Sequence, residues 1–194
     1  MELPKKKYQI IYADPPWSYD DDFQGDSKFG GITYKTMNLD EICKLPITQI
    51  SDDNCVLFIW VTMPMLEKGF EVIKSWGFEY KTCGFVWTKI NDDGSFRTGI
   101  GKYTNSNVEL CLIAKKGNLE RVKTNIKQVI RTKITKHSAK PHEVYKRIED
   151  LYGNIPRIEL FARTKRQGWD AWGNEVPTEC QNILTEVKGN SSHD

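Results

Sequence analysis

Asp14-Pro15-Pro16-Trp17 is the stretch of this 194-residue chain whose residue types could do chemistry together. Neither proline has an N–H group and each fixes its own φ angle, so the stretch holds a carboxylate and carbonyl oxygens in a rigid turn. An exocyclic aromatic amine, such as the 6-amino group of adenine, is a poor nucleophile because its lone pair is delocalised into the ring. A carboxylate and a fixed carbonyl could accept both N–H groups of such an amine and position it for alkylation.

Aromatic side chains could bind the base that carries this amine. A base that has left its own stack can lie against a flat side chain, and Trp17, Tyr34 and Tyr103 are candidates for that contact. The alternative is an ordinary turn that ends a strand, since proline and aspartate are both common in turns. The four residues of the turn leave both interpretations open.

Hydrophobic patterning indicates the elements that must position the turn. Asn38 is a candidate helix cap, and Gly77 and Gly153 are candidate helix stops. Strands alternating with helices predict an α/β fold, with a mostly parallel open sheet and helices on both faces. The predicted strands are 8–13, 55–61, 82–90, 108–114, 128–130 and 157–162, the predicted helices are 39–45, 64–76 and 141–152, and loops are predicted at 91–106 and 164–174.

The first and last predicted strands end in unusual residues. Asp14 follows the first strand, and Phe161-Ala162-Arg163 lies at the end of the last. Ligands of open α/β sheets bind beyond the carboxyl ends of the strands, where the strand order reverses. We therefore expect these two strands to lie side by side, with one site across their ends.

Composition and cysteine usage exclude several classes of protein. The content of 39% hydrophobic and 28% charged residues is ordinary for a soluble globular protein, and no apolar run could cross a bilayer. Residues 1–7 lack the apolar centre of a signal peptide, so a cytoplasmic location and no membrane partner are expected. Five scattered cysteines and three widely spaced histidines predict reduced thiols and no metal site. We predict one domain over 1–176 and a polar, flexible tail over 177–194.

Basic residues are concentrated between Lys115 and Lys140, a stretch we call the basic segment. It contains nine lysines and arginines against the single acidic residue Glu120, although the net charge of the chain is only +2. A solvated face is the usual explanation of a charged run, but so one-sided an excess favours a polyanionic partner. We predict that the basic segment binds nucleic acid. The acidic cluster Asp20-Asp21-Asp22 has no predicted role.

A series of short motifs resembles one known family. The motifs are YADPPW at 12–17, YKTM at 34–37, LFIWVT at 57–62, WGFE at 76–79, RTG at 97–99, AKP at 139–141, IELFAR at 158–163 and WGNE at 172–175. Each is weak alone, but in this order they are specific, and they resemble the adenine-N(6) methyltransferases of the family named for the seventy-kilodalton subunit of the eukaryotic mRNA adenine methyltransferase. The resemblance implies a Rossmann-like methyltransferase fold whose catalytic motif precedes the cofactor strand, S-adenosyl-L-methionine as cofactor, and adenine in nucleic acid as substrate.

The same resemblance implies roles for individual residues. In the catalytic turn, Asp14 and Pro15 would accept the hydrogen bonds of the amine, and Pro16 and Trp17 would complete the wall. The target-base pocket would be lined by Tyr34, Tyr103, Asn105, Glu109 and Lys140. The cofactor would be approached by Asp14, Glu159, Leu160, Phe161, Arg163, Lys165, Arg166, Asn174 and Glu175.

Some of these residues could instead have a simpler structural or electrostatic role. Glu109 could be a charge at a strand edge, Lys140 could contact a phosphate, and Leu160 and Phe161 could simply pack in the core. The chain also departs from many methyltransferases, which carry a glycine-rich turn after the cofactor strand. Here Ala162-Arg163-Thr164 stands at that place, so arguments from those glycines do not transfer.

DNA is the favoured substrate because small stand-alone relatives resemble DNA-modifying enzymes of bacteria or their phages. We therefore predict a site-specific adenine-N(6) DNA methyltransferase in the cytoplasm of a bacterial or phage-infected cell. An RNA methyltransferase and a catalytically inactive nucleic-acid-binding scaffold are the alternatives. An inactive copy would be expected to lose the acid or the aromatic residue of the turn, and both are intact. A monomer, a homodimer and a heterodimer all stay open.

Overall fold

The computed structural model describes residues 2–19, 35–99, 103–133 and 139–173. Short 3₁₀ helices at Ile47–Gln49 and Met63–Met65 lie immediately before and after the strand Ser51–Val61. No helix in the described ranges is long and apolar enough to cross a membrane. The strands are β1 (Tyr8–Ala13), β2 (Ser51–Val61), β3 (Glu79–Ile90), β4 (Val108–Lys116), β5 (Val129–Lys133), β6 (Arg157–Leu160) and β7 (Asp170–Trp172), and the α-helices are α1 (Leu39–Cys43), α2 (Leu66–Ser75) and α3 (Glu143–Tyr152).

The strands form one sheet in the order β5-β3-β4-β2-β1-β6-β7. β4 runs antiparallel to both of its neighbours, and every other pairing is parallel, so the predicted mostly parallel sheet is confirmed. β1 and β6 lie side by side, as predicted, with Ala13 opposite Leu160. The chain leaves β1 for β2 on one side and returns to β6 on the other. The strand order therefore reverses at β1.

Helices cover both faces of the sheet, as predicted. On one face, Ile42 of α1 and Ile73 of α2 pack with Ile11 and Leu57 in a buried cluster. On the other face, Ile148 of α3 packs in a second cluster with Ile10, Tyr12, Phe58 and Trp60. Because successive strand residues point to opposite sides, neighbours along β1 and β2 belong to different clusters. Both faces of the central strands are thus excluded from water.

Local signals explain where two helices begin and end. The Asn38 side chain accepts a hydrogen bond from the Glu41 N–H, and the Glu41 carboxylate accepts one from the Asn38 N–H, which forms the capping box of α1. α3 ends at Gly153, whose φ of 75° suits a residue without a side chain. The predicted loop at 164–174 is wrong in one respect, because residues 170–172 form β7 beside β6.

Arg157 is the first residue of β6, and its side chain links the residue after α3 to the segment before β7. Its guanidinium donates to the carbonyls of Gly168 (2.6 Å) and Gly153 (3.0 Å) and lies 5.5 Å from the ring centroid of Trp169. We expect Arg157→Ala to lower the free energy of unfolding by about 2–4 kcal/mol, because the part-buried carbonyls lose charged donors. Urea denaturation would measure it. Lys146→Ala, at an exposed lysine of α3, is the control, and equal stability of the two variants would contradict the expectation.

Candidate active site

The turn that follows β1 lies where the strand order reverses. Asp14 is the first residue beyond the strand, and the Trp17 N–H donates to the Pro15 carbonyl at 2.9 Å. The Pro16 carbonyl accepts a hydrogen bond from the Met37 N–H at 2.8 Å, which attaches the turn to the segment before α1. The Pro15 carbonyl, predicted to accept from the amine, therefore already accepts one hydrogen bond. It keeps a second lone pair for another donor.

Trp17 anchors the turn to the protein core. Its side chain is only 6% exposed, packs within the cluster under α1 and α2, and donates from Nε1 to the Trp60 carbonyl at 3.1 Å. The indole thus joins the end of β1 to the end of β2. The structure places Trp17 as a buried anchor of Asp14 rather than as the open stacking surface that the sequence suggests.

Four charged side chains form a row at the site: Asp14, Lys140, Glu109 and Lys89. Lys140 Nζ lies 2.7 Å from each carboxylate oxygen of Asp14 and 3.3 Å from Glu109 Oε2. Lys89 Nζ lies 2.5 Å from Glu109 Oε1. We call this alternating set the charge row; it links the end of β1, the segment before α3, the start of β4 and the end of β3.

Burial separates two members of the charge row from solvent. The side chains of Lys140 and Glu109 are only 11% and 14% exposed. Glu109 therefore does not lie as a solvated charge at a strand edge. Lys140 lies 5.7 Å from the ring centroid of Trp60 and points to Asp14 rather than to the surface, which favours the pocket assignment over a phosphate contact.

The charge row sets the protonation of its members. Burial raises the pKa of Asp14 above its ordinary value of 3.8, and the attraction of Lys140 offsets this only in part. Burial opposes the charge of Lys140 as well, but its two carboxylate partners, Asp14 first, raise its pKa above the usual value. Burial also disfavours ionised Glu109, yet Lys140 and Lys89 together hold its pKa below the usual value. Lys140 and Glu109 are therefore charged at neutral pH.

Glu159 brings a second carboxylate to the ends of β1 and β6. It lies opposite Tyr12 in the sheet, and its Oε1 accepts a hydrogen bond from the Tyr145 hydroxyl at 2.8 Å. Burial raises the pKa of Glu159, and the Tyr145 hydroxyl and the charge of Arg166 offset this only in part; the Asp14 charge acts in the raising direction as well. A cation placed between these two carboxylates would relieve their repulsion. This pair of carboxylate acceptors fits the sulfonium and ammonium groups of S-adenosylmethionine.

The turn after β6 has a strained backbone. Phe161 has a φ of 60°, in the left-handed region that a bulky residue seldom adopts. Its ring packs against Trp172 at 5.6 Å between centroids, and the Ala162 N–H donates to the Trp172 carbonyl at 3.0 Å. A Cβ at Gly173 would overlap the backbone of Phe161 and Ala162. The close passage of β7 thus shapes the turn where many methyltransferases use glycines.

The other predicted cofactor residues are distributed around this turn. Leu160 is fully buried in the core, which agrees with the packing alternative. Arg163 is half-buried, and its charge acts to lower the pKa of Asp14. Lys165 is exposed. The Arg166 guanidinium lies 3.8 Å from the ring centroid of Tyr145.

The described base-pocket residues differ in their burial and contacts. Tyr103 is 92% exposed, and Asn105 is exposed on the loop that leads into β4. Glu109 and Lys140 do meet beside Asp14. Outside the described residues lie Tyr34, Asn174, Glu175, the cluster Asp20-Asp21-Asp22 and the predicted tail at 177–194.

Two residues of the site were missed from the sequence. Lys89 completes the charge row, and its signal was a lysine at the end of the mainly apolar run 85–90. Tyr145 orients Glu159, but nothing in its spacing distinguishes it from its neighbours on α3. Among the described residues, no group of three or more histidines, cysteines or acids could hold a metal ion.

The basic segment is divided between the two edges of the sheet. We call the edge that carries Asp14 the carboxyl edge and the opposite one the amino edge. Because β4 runs antiparallel, its last residues, Lys115 and Lys116, lie at the amino edge, beside the start of β3 and near that of β2. Arg131 and Lys133, opposite Thr88 and Ile90 near the end of β3, lie towards the carboxyl edge. The described part of the basic segment therefore does not form one continuous surface.

Comparison with known proteins identifies the family of the chain. The sequence model of the MT-A70 family matches residues 8–175. The chain is 36% identical over 203 aligned residues to the type II methyltransferase M.MunI of a Mycoplasma species, covering 95% of this chain and 84% of that protein.

Eukaryotic relatives are longer. The chain is 33% identical to the human N(6)-adenosine-methyltransferase catalytic subunit METTL3 and 32% identical to the N(6)-adenosine-methyltransferase MT-A70-like protein of Drosophila melanogaster, over 175 residues in each case. Each alignment covers 88% of this chain but only 28% and 27% of those proteins. With a family match over most of its length, the chain belongs to the MT-A70 family.

Proposed function

We propose that this protein is an S-adenosylmethionine-dependent methyltransferase that modifies the 6-amino group of adenine in DNA. The observation that carries the proposal is the Asp14-Pro15 acceptor pair, fixed where the strand order reverses and flanked by Glu159. Similarity to a type II methyltransferase along nearly the whole chain favours DNA. RNA is the second candidate, because other relatives are named N(6)-adenosine-methyltransferases.

The acceptor pair would hold the amine for reaction. Lys140 occupies one lone pair on each oxygen of Asp14, and each oxygen keeps another that can accept an N–H of adenine. The Pro15 carbonyl would accept the second N–H. S-adenosylmethionine, when bound, supplies the methyl group for in-line transfer to the amine nitrogen. Asp14 does not need to be a strong base, because the alkylated nitrogen is acidic and loses its proton afterwards.

The cofactor would lie across the ends of β1 and β6. Asp14 and Glu159 would face its cationic groups, and an arginine of 163–166 would pair with the methionine carboxylate. Asn174 or Glu175 would hold the ribose hydroxyls. We place the enzyme in the cytoplasm of a bacterial or phage-infected cell, where its substrate is accessible.

Methylation of matched oligonucleotides tests the proposal. Purified protein would be incubated with S-adenosylmethionine and with DNA or RNA of the same sequence pool, single-stranded or duplex, and the nucleosides analysed by mass spectrometry. We expect N(6)-methyladenine in DNA. Methyl transfer to RNA alone would favour the second candidate. Absence of transfer to any polymer, with no cofactor binding by calorimetry, would indicate an inactive scaffold.

A further inference from the structure

The loop after β3 folds back on the strand and presents an aromatic ring. Phe96 pairs with Ile90, and the Arg97 N–H donates to the Lys89 carbonyl at 2.9 Å. Inside the loop, the Asn91 N–H donates to the Ser95 carbonyl at 2.9 Å. These backbone contacts hold Phe96 in place, although its side chain is 54% exposed.

Arg131 of β5 lies against this ring. Its guanidinium carbon is 5.0 Å from the centroid of Phe96, and its Nη2 donates to the Gly94 carbonyl at 2.5 Å. The arginine is thus attached both to the ring and to the tip of the loop. We call this pair the Phe96–Arg131 platform. It combines a flat apolar face with a fixed positive charge, the two features that bind a nucleotide by its base and its phosphate.

The platform lies on the same edge of the sheet as Asp14. β3 is three interstrand spacings from β1, which is roughly 14 Å. The charge row runs from Asp14 to Lys89, and Lys89 directly precedes the residue that pairs with Phe96. A nucleic-acid strand whose adenine reached Asp14 would therefore pass the platform within a few nucleotides.

Another exposed aromatic pair lies far from this path. Phe70 of α2 packs edge-to-face on Tyr80 at 4.9 Å between centroids, and Tyr80 lies near the start of β3, at the amino edge. At the same edge, Lys123 pairs with Asp150 near the end of α3 at 3.4 Å. These residues have aromatic and basic side chains like those of the platform, but they lie at the opposite edge of the sheet from Asp14. They therefore supply matched controls.

We propose that the Phe96–Arg131 platform binds a nucleotide that flanks the target adenine in the DNA strand. Phe96 stacks on the base and Arg131 neutralises the adjoining phosphate. The proposal rests on the function proposed above and adds a subsite to it. It also moves the expected nucleic-acid contact of the basic segment from its amino-edge lysines to Arg131.

Binding measurements on four variants test the platform. The probe is a fluorescein-labelled 30-mer DNA duplex that contains a site methylated by the unmodified enzyme, located by sequencing. We expect Phe96→Leu to weaken binding about ten-fold in fluorescence anisotropy, since it removes base stacking. Arg131→Gln is expected to weaken binding and to reduce the slope of log K against log[salt] by about one. Phe70→Leu and Lys123→Gln should bind within two-fold of the unmodified protein.

A fluorescent base separates stacking from a change in loop structure. 2-Aminopurine is placed in turn at each position beside the target adenine. The unmodified protein should quench its fluorescence at one of these positions, and Phe96→Leu should abolish that quenching. Any result in which Phe96→Leu and Arg131→Gln lose no more affinity than their controls overturns the platform.

The failure of the underlying function has a different signature. If no DNA is methylated, the proposed function fails before the platform variants are compared. If DNA is methylated and all four variants bind equally, the function stands and the platform fails.

Discussion

Asp14→Asn is expected to lower methyl transfer by roughly 10²–10³-fold, the scale seen when one preorganised charge-stabilising group is removed from an active site. Asparagine keeps the size of the side chain but replaces one acceptor oxygen by a donor group, which would face an N–H of adenine. Single-turnover methylation with tritiated cofactor would measure the loss. Cofactor affinity, measured by calorimetry, should change far less, because Glu159 remains.

The pH dependence gives this variant a second signature. Burial raises the pKa of Asp14 above 3.8. Only the ionised carboxylate accepts hydrogen bonds from both Lys140 and the adenine amine. As pH falls through that raised pKa, the active fraction of the unmodified enzyme falls with it. Asp14→Asn should lack this acidic limb. Asp92→Asn, at an exposed carboxylate of the 91–99 loop, is the control for a general effect of pH. Full activity of Asp14→Asn would refute the assignment of Asp14.

Lys140→Met is expected to lower the free energy of unfolding by about 3–5 kcal/mol at pH 8, because it leaves buried carboxylates without their shared cation. Asp14 and Glu109 both contact Lys140, and Lys140 and Glu109 are largely excluded from water. Guanidinium denaturation would measure the difference. Lys133→Met removes a lysine from an exposed pair with Asp92, and we expect no measurable change there.

Acid should partly rescue Lys140→Met. Burial already raises the pKa of Asp14, and loss of the lysine removes the main interaction that lowers it, so the folded variant binds more protons than the unfolded chain. Its stability must then increase as pH falls through that raised pKa. The difference in free energy of unfolding between the variant and the unmodified protein should therefore become smaller as pH falls from 8 to 5. A deficit that is constant over this range would show that the loss comes from packing alone.

Much of the fold was accessible from local sequence. Apolar runs, the Asn38 cap and the glycine stops act over a few residues, so they indicated all three helices and six of the seven strands that the described ranges contain. β7 escaped because its three residues, Asp170–Trp172, have no strand pattern of their own and depend on pairing with β6. The turn at Asp14 was also visible, since two prolines restrict the backbone without help from the rest of the chain.

Side-chain environments could not be predicted in the same way. Nothing near Trp17 in the sequence indicates that its indole N–H meets the Trp60 carbonyl. Lys140 reaches Asp14 across 126 positions of the chain, and Lys89 joins them only through Glu109. Such contacts depend on which strands are neighbours and on which face each side chain lies, and those are properties of the assembled sheet.

The rigid turn at Asp14 and the composition of the basic segment could thus be predicted from the order of the residues, because proline geometry and charge are local properties. The direction of one strand decided which residues of the basic segment lie at the same edge of the sheet as the turn. β4 runs opposite to its neighbours and carries Lys115 and Lys116 away from Asp14, while β5 runs with β1 and carries Arg131 towards it. Strand direction comes from hydrogen bonding between distant segments, so only the tertiary structure could divide the basic segment between the two edges.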